Sequence, residues 1–154
     1  MARQLPTRDE DVFATNTAVL LREAFVALNG LVVPRLAEGG FPDVRPAHNV
    51  VFQYLDAAGT TVSTLAERAE MTKQAMGELV AHLEERGYVD RVPDPADRRA
   101  KLVRPTAKGR DVYRVVRELI PEIEQQVVEL IGATRMRQLR RDLQTIRETF
   151  GAPG

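Results

Sequence analysis

The fold is decided between residues 62 and 106, which read VSTLAERAEMTKQAMGELVAHLEERGYVDRVPDPADRRAKLVRPT. At about 100° per residue, Met76, Leu79, Val80 and Leu83 share one side of a helix, while Gln74, Glu78, Ala81 and Glu85 point the opposite way. This pattern predicts an amphipathic helix capped by Thr72, running to about Arg86 and stopped by Gly87, the residue type that best tolerates the left-handed position after a helix. A shorter helix precedes it, from Thr64 to about Ala69, with Thr61 or Ser63 as cap, Leu65, Ala66 and Ala69 as its buried side, and Glu70-Met71 as the turn. Two helices and a short turn make a helix-turn-helix candidate. Tyr88–Val92 and Ala100–Arg104 are β-prone, and the polar run Pro93–Arg99 between them predicts a hairpin with a long loop. Gly77, inside the second helix, costs about 1 kcal/mol relative to alanine. It is either tolerated packing or a device for bringing the helix close to another surface.

Working outward, Thr7-Arg8-Asp9-Glu10 fits a capping box, and Leu21, Phe25, Leu28 and Val32 predict one long helix from Val12 to Leu36, with Pro34 near its end. A Gly/Pro loop follows at 38–42. Pro46 suits the first turn of another helix, whose apolar face, Val50, Val51, Tyr54, Leu55 and Ala58, reaches to Gly59. Downstream, Thr106 caps a helix lined by Val112, Val115, Val116, Leu119, Ile120, Ile123, Val127, Leu130 and Ile131, with Pro121 predicted to kink it. Gly132-Ala133-Thr134 breaks the pattern, and a last helix carries Met136, Leu139, Leu143, Ile146 and Phe150. The expected fold class is mainly α with a small β-hairpin, in one domain covering residues 1–154.

Composition narrows the function. The chain has 154 residues and no cysteine, which excludes thiol catalysis, a thiol redox sensor and a disulfide framework. With only His48 and His82 as imidazoles, no metal site and no cofactor are expected. No Ser/His/Asp set, carboxylate pair or phosphate-binding glycine loop appears, so an enzyme is not expected. The longest uncharged run, Ala24 to Pro34, is shorter than a membrane span needs, so the expectation is a soluble, cytoplasmic protein. The formal net charge is zero, from 22 basic and 22 acidic residues. Neutrality argues against nucleic acid unless charge is unevenly spread, and it is. Residues 86–110 hold Arg86, Arg91, Arg98, Arg99, Lys101, Arg104, Lys108 and Arg110 against Asp90, Asp94 and Asp97, a net +5 centred on the hairpin. A basic hairpin directly after a helix-turn-helix is what a DNA-binding wing requires.

The stretch Val62 to Ala69, the helix from Thr72 to Val89, and above all Asp94-Pro95-Ala96-Asp97-Arg98-Arg99 followed by Pro105-Thr106-Ala107-Lys108-Gly109 resemble MarR-type winged helix-turn-helix regulators. The motifs cover roughly residues 46–110, and the helix order covers the whole chain. The resemblance implies a homodimer held by helices at about 8–37 and 106–151, with a winged lobe at about 46–105 that grips a pseudo-palindrome in double-stranded DNA. It implies that Arg99 enters the minor groove and that Asp97 shapes the wing, where the plain alternative is a solvated turn salt bridge. It also implies a small lipophilic, phenolic or anionic effector between the dimer helices and the lobe, and a ligand-responsive repressor as the function. Two residues depart from the family: Pro105 replaces an apolar residue, which predicts a shortened second strand, and Gly77 replaces a hydroxyl or basic residue on the recognition helix.

Groove chemistry assigns the contacts. Thr72 and Lys73 are expected at phosphate, Gln74 at adenine and Glu78 at a cytosine amino group, with Thr64, Gly77, Arg98, Arg99 and Lys101 completing the DNA-facing set. Lys73 could instead be a solvated lysine, and Glu78 a surface partner of His82. Phe25, His48, Phe52 and Tyr113 are the candidates to line an effector cavity, against a plain role in the core. The alternative function is a winged-helix protein–protein interaction module without specific DNA binding.

Overall fold

The computed structural model describes residues 16–97 and 99–151. Helix α1 (Thr17–Gly30) starts at Asn16, whose side-chain oxygen accepts the Val19 N–H at 3.1 Å. The Thr7–Glu10 capping box and the predicted start near Val12 lie outside the described residues. The single helix predicted to reach Leu36 is two helices, α1 and α2 (Val32–Glu38), separated at Leu31. Pro34 has no N–H to offer the Gly30 carbonyl, and glycine is itself a weak helix former, so the ladder fails there.

A 3-10 turn (Pro46–His48) leads into α3 (Asn49–Tyr54), which ends well before Gly59. The predicted apolar face is therefore too long, and Ala58 is exposed. The cause is tertiary: Thr60 exchanges two backbone hydrogen bonds with Val103 (2.8 and 2.9 Å), and its hydroxyl accepts the Asp56 N–H at 2.9 Å. Pulling Thr60 onto the hairpin unwinds 55–59. Gly59 has φ +110°, and a Cβ there would come 2.9 Å from that of Leu102, so only glycine makes the turn without strain.

Helix α4 (Val62–Arg68) begins two residues before the predicted Thr64, capped by Thr61, whose hydroxyl accepts the Thr64 N–H at 3.1 Å. Glu70, at φ +52°, makes the turn. Helix α5 (Lys73–Glu85) is capped by Thr72 through the Ala75 N–H, buries Met76, Val80 and Leu83, and half-buries Leu79. It ends as expected: Gly87 takes φ +76°, and the Tyr88 N–H returns to the Leu83 carbonyl at 2.8 Å.

Strands β1 (Val89–Pro93) and β2 (Lys101–Pro105) pair antiparallel, one residue further along than predicted, around a loop at 94–100. Pro105 does not shorten β2. It is the last strand residue, buried opposite Val89, where no ladder N–H is needed, and Thr106 supplies the next donor to the Tyr88 carbonyl at 3.1 Å. Thr106 then caps α6 (Ala107–Ile131) by accepting the Gly109 N–H at 3.1 Å, and α6 continues through Pro121. Gly132, at φ +87°, separates α6 from α7 (Ala133–Phe150).

The chain forms two compact units, one through Val116 and one from Arg117 onward. The first is built on Leu36, Val51, Leu65, Met76, Val80, Leu83, Tyr88, Val103 and Val112, all essentially without solvent contact. The second buries Leu119, Ile123 and Met136 and pairs Arg140 with Glu124. Both leave large apolar side chains exposed: Leu20, Phe25, Val26, Leu28 and Leu31 in the first, and Leu130, Leu139, Leu143, Ile146 and Phe150 in the second. Helix α1 buries no residue at all. By length and composition the stretch Thr17–Glu38, which holds an 18-residue window of mean hydropathy 1.4, is apolar enough to cross a membrane, although its uncharged run is short. A hydropathy average over a long window tolerates Arg22 and Glu23, which bound that run on its N-terminal side.

Candidate nucleic-acid interface

Helix α5 turns its polar side outward. Thr72, Lys73, Gln74, Glu78 and Ala81 are exposed, and the Gln74 amide lies 3.5 Å from the Glu78 carboxylate one turn on. Gly77 sits between them with nothing within 4 Å of a built Cβ, so its backbone is the lowest point of that face. Thr64 is placed differently: it is half-buried, and its hydroxyl lies 2.9 Å from that of Thr61. The neighbouring Ser63 is by sequence only a possible helix cap; Thr61 takes that role, and Ser63 lies half-buried in the first turn of α4.

The hairpin tip is organised by two aspartates. Asp94 accepts the Ala96 N–H at 2.8 Å, and Asp97 accepts the Arg99 N–H at 2.9 Å. Each carboxylate thereby mimics a turn of backbone. Arg98 lies outside the described residues.

The +5 segment divides in two. Arg86 pairs with Asp43 at 3.1 Å, Arg91 with Glu84 at 3.0 Å, and Arg104 with Asp90 through two bonds at 2.9 and 3.3 Å. Lys108 donates to the Arg86 carbonyl and lies 4.0 Å from the centre of the Tyr88 ring, while Arg110 donates to the Pro105 carbonyl. These five cations serve the base of the wing. Arg99 and Lys101 are exposed and, among the described residues, no side chain pairs with either; the same holds for Lys73 at the start of α5. Cations without a side-chain partner among the described residues are thus found at the wing and the helix start, on the elements that would meet a polyanion first.

A cavity of about 810 Å³ lies beside α5, walled by Ala75, Glu78, Leu79 and His82, with Phe25, Arg45, His48 and Tyr54 among its other lining residues. Of the four predicted effector residues it gathers Phe25 and His48 only. Phe52 and Tyr113 are a core pair: their rings meet edge-on at 5.4 Å, and the Tyr113 hydroxyl donates to the Phe52 carbonyl at 2.7 Å. Burial pushes the Tyr113 phenol up to about 12.

His48 and His82 stack at 4.7 Å with their planes 18° apart. His48 is buried, and its Nδ1 accepts the Arg45 N–H at 2.9 Å, so the neutral ring carries its proton on Nε2. Burial first, then the His82 ring and the Arg45 charge, lower its pKa from 6.5 to about 4. The native state therefore binds fewer protons than the unfolded chain between these values, and the stability this contributes is full above pH 6.5 and lost as pH falls toward 4. Urea unfolding at pH 7.5 and pH 5 should show the wild type losing about 1–2 kcal/mol more than His48→Gln, whose amide can still accept the Arg45 N–H. Equal losses would refute the assignment.

The comparisons agree with this geometry. Residues 43–100 match the MarR family model. The transcriptional regulator HosA of Escherichia coli O111:H- is 30% identical over 112 residues, covering 72% of this chain and 81% of HosA. A MarR-family transcriptional regulator from Rhodococcus sp. RHA1 superposes with a TM-score of 0.66 at 28% identity, over 84% of this chain and 90% of that one. CouR from Rhodococcus jostii RHA1, solved bound to p-coumaroyl-CoA, superposes with a TM-score of 0.68 at 25% identity, over 96% and 98% of the two chains. A structure of the repressor CouR on a 23-mer DNA duplex gives 0.69 at 24% identity, over 94% and 99%. Winged lobe, basic hairpin and matched relatives converge: the chain belongs to the MarR family of DNA-binding transcriptional regulators.

Proposed function

We propose that this regulator is a cytoplasmic homodimer that binds a pseudo-palindromic duplex, with α5 of each protomer in a major groove and each wing at the flanking minor groove, and that a small ligand releases it as a repressor. The observation that carries the reading is the placement of Lys73, Arg99 and Lys101, cations without side-chain partners among the described residues, beside the exposed polar side of α5. Thr72 and Lys73 meet phosphate, Gln74 reads adenine, Glu78 accepts from cytosine, and Gly77 lets the helix approach closely. Arg99, with Arg98 beside it, reaches the minor groove, and Asp97 supports it from the turn. Thr64 acts indirectly, through the start of α4.

A second copy, rather than a membrane, covers α1: four large apolar side chains, Leu20, Phe25, Val26 and Leu28, exposed on one helix of a regulator are a surface a dimer would bury. The cavity beside α5 receives the effector, a lipophilic phenolic or anionic molecule, with Phe25 and His48 in contact and the Phe52–Tyr113 pair as backing. That CouR binds p-coumaroyl-CoA, an aromatic acyl thioester, supports this ligand class. The family match does not favour the interaction-module alternative.

Selection of bound sequences from a random or genomic duplex library tests the reading. Enrichment of two half-sites spaced by about 10 bp is expected. No enrichment would overturn it in favour of the interaction module.

A further inference from the structure

A hollow of about 220 Å³ opens where three elements meet: Thr61 and Ser63 at the start of α4, Lys73 at the start of α5, and Arg91, Arg99 and Lys101 of the hairpin. It is lined by four cations and two hydroxyls and, among the described residues, by no carboxylate. Arg91 is fixed at its edge by the 3.0 Å ion pair with Glu84. The other three cations form no ion pair among the described residues, so their charges repel one another across the hollow. Hydroxyls can donate to an oxyanion where guanidinium and ammonium groups supply the charge. The hollow is large enough to hold one tetrahedral anion with a few waters, and its lining of cations and hydroxyls suits an anion better than the apolar ligand expected in the larger cavity.

We propose that this hollow is a phosphate seat: it takes a backbone phosphodiester when duplex is bound and a free inorganic phosphate in the protein alone. The first half rests on the DNA reading above. The second does not. Because the seat joins the start of α5 to the wing, an occupied seat sets the spacing between the two DNA-facing elements. The sequence showed the charge but not this convergence, since Ser63, Lys73 and Arg91 come from three separate elements.

Two measurements on Arg91→Gln, Lys101→Ala and the control Arg86→Gln, whose arginine is already paired with Asp43 outside the hollow, test this. The first is calorimetric titration of the DNA-free protein with inorganic phosphate, in chloride at constant ionic strength. One phosphate per protomer is expected, weakened about tenfold in both seat variants and unchanged in the control. The second is affinity for the selected duplex against salt concentration. Loss of one contact per protomer should lower the slope by roughly two for the dimer. Loss of both signals supports both sources of phosphate; loss of the salt slope alone assigns the seat to DNA, and loss of phosphate binding alone assigns it to the free anion. If both seat variants, shown folded by thermal melts, match the control in both measurements, the seat is refuted. In that case a steep wild-type salt slope would leave the DNA reading standing. A wild type without salt-dependent duplex binding would refute that reading while phosphate titration still decides the seat.

Discussion

Gly109→Ala is expected to destabilise the first unit by roughly 3 kcal/mol, at the upper end of the usual cost of overpacking. A Cβ at position 109 would lie well inside van der Waals contact of the Tyr88 carbonyl oxygen, a backbone atom rather than the end of a flexible side chain. That oxygen accepts the Thr106 N–H and the Thr106 hydroxyl, each at 3.1 Å. Tyr88 cannot retreat: its side chain is fully buried, and its N–H closes the end of α5 on the Leu83 carbonyl. The first turn of α6 would have to move off the base of the hairpin, breaking the Thr106 cap. Urea or thermal unfolding reads the effect, and a loss of about 3 kcal/mol should lower Tm by roughly 6–12 °C in a chain of this size. A change of less than about 0.5 kcal/mol, the range of ordinary surface substitutions, would show that the packing between α6 and the hairpin is looser than described.

Arg99→Ala is expected to weaken binding to the selected duplex about 10- to 100-fold with the dimer intact. Each wing loses a cation that no described side chain pairs with, the dimer loses two, and contacts of this kind contribute roughly 1–3 kcal/mol. Because the Arg99 side chain pairs with no described residue, its removal leaves no buried group stranded, so stability should stay within about 0.5 kcal/mol of wild type. Fluorescence anisotropy at several salt concentrations, with sedimentation velocity to follow the dimer, separates the two effects. An unchanged affinity would remove Arg99 from the interface. Arg104→Ala provides the contrast, since its guanidinium is held in two bonds by Asp90 at the base of the wing, and a small effect on affinity is expected.

Much of the lobe was legible because its signals are local. Thr72 caps α5 and Gly87 ends it through contacts within a few residues, and the apolar spacing of Met76, Val80 and Leu83 is a property of one helix. The elements that were misjudged were decided at long range. Helix α3 stops early because Thr60 is held by Val103, and β2 keeps Pro105 because it ends where a ladder N–H is no longer required. Likewise, Phe52 and Tyr113 resemble pocket residues by type, yet a hydrogen bond across 61 positions makes them a core pair.

The net +5 of residues 86–110 belongs to the sequence alone, as does the order of helices and hairpin, because both are set by residue identity and short-range periodicity. Which of those cations remain available to a ligand was decided only by the tertiary structure. Ion pairing needs partners within a few ångströms, and the partner of Arg86 is 43 positions away in Asp43, while Asp90 is brought across the hairpin to Arg104 by strand register. Folding pairs Arg86, Arg91 and Arg104 with carboxylates and leaves Lys73, Arg99 and Lys101 gathered at one hollow, turning a diffuse excess of charge into a surface that a phosphate can occupy.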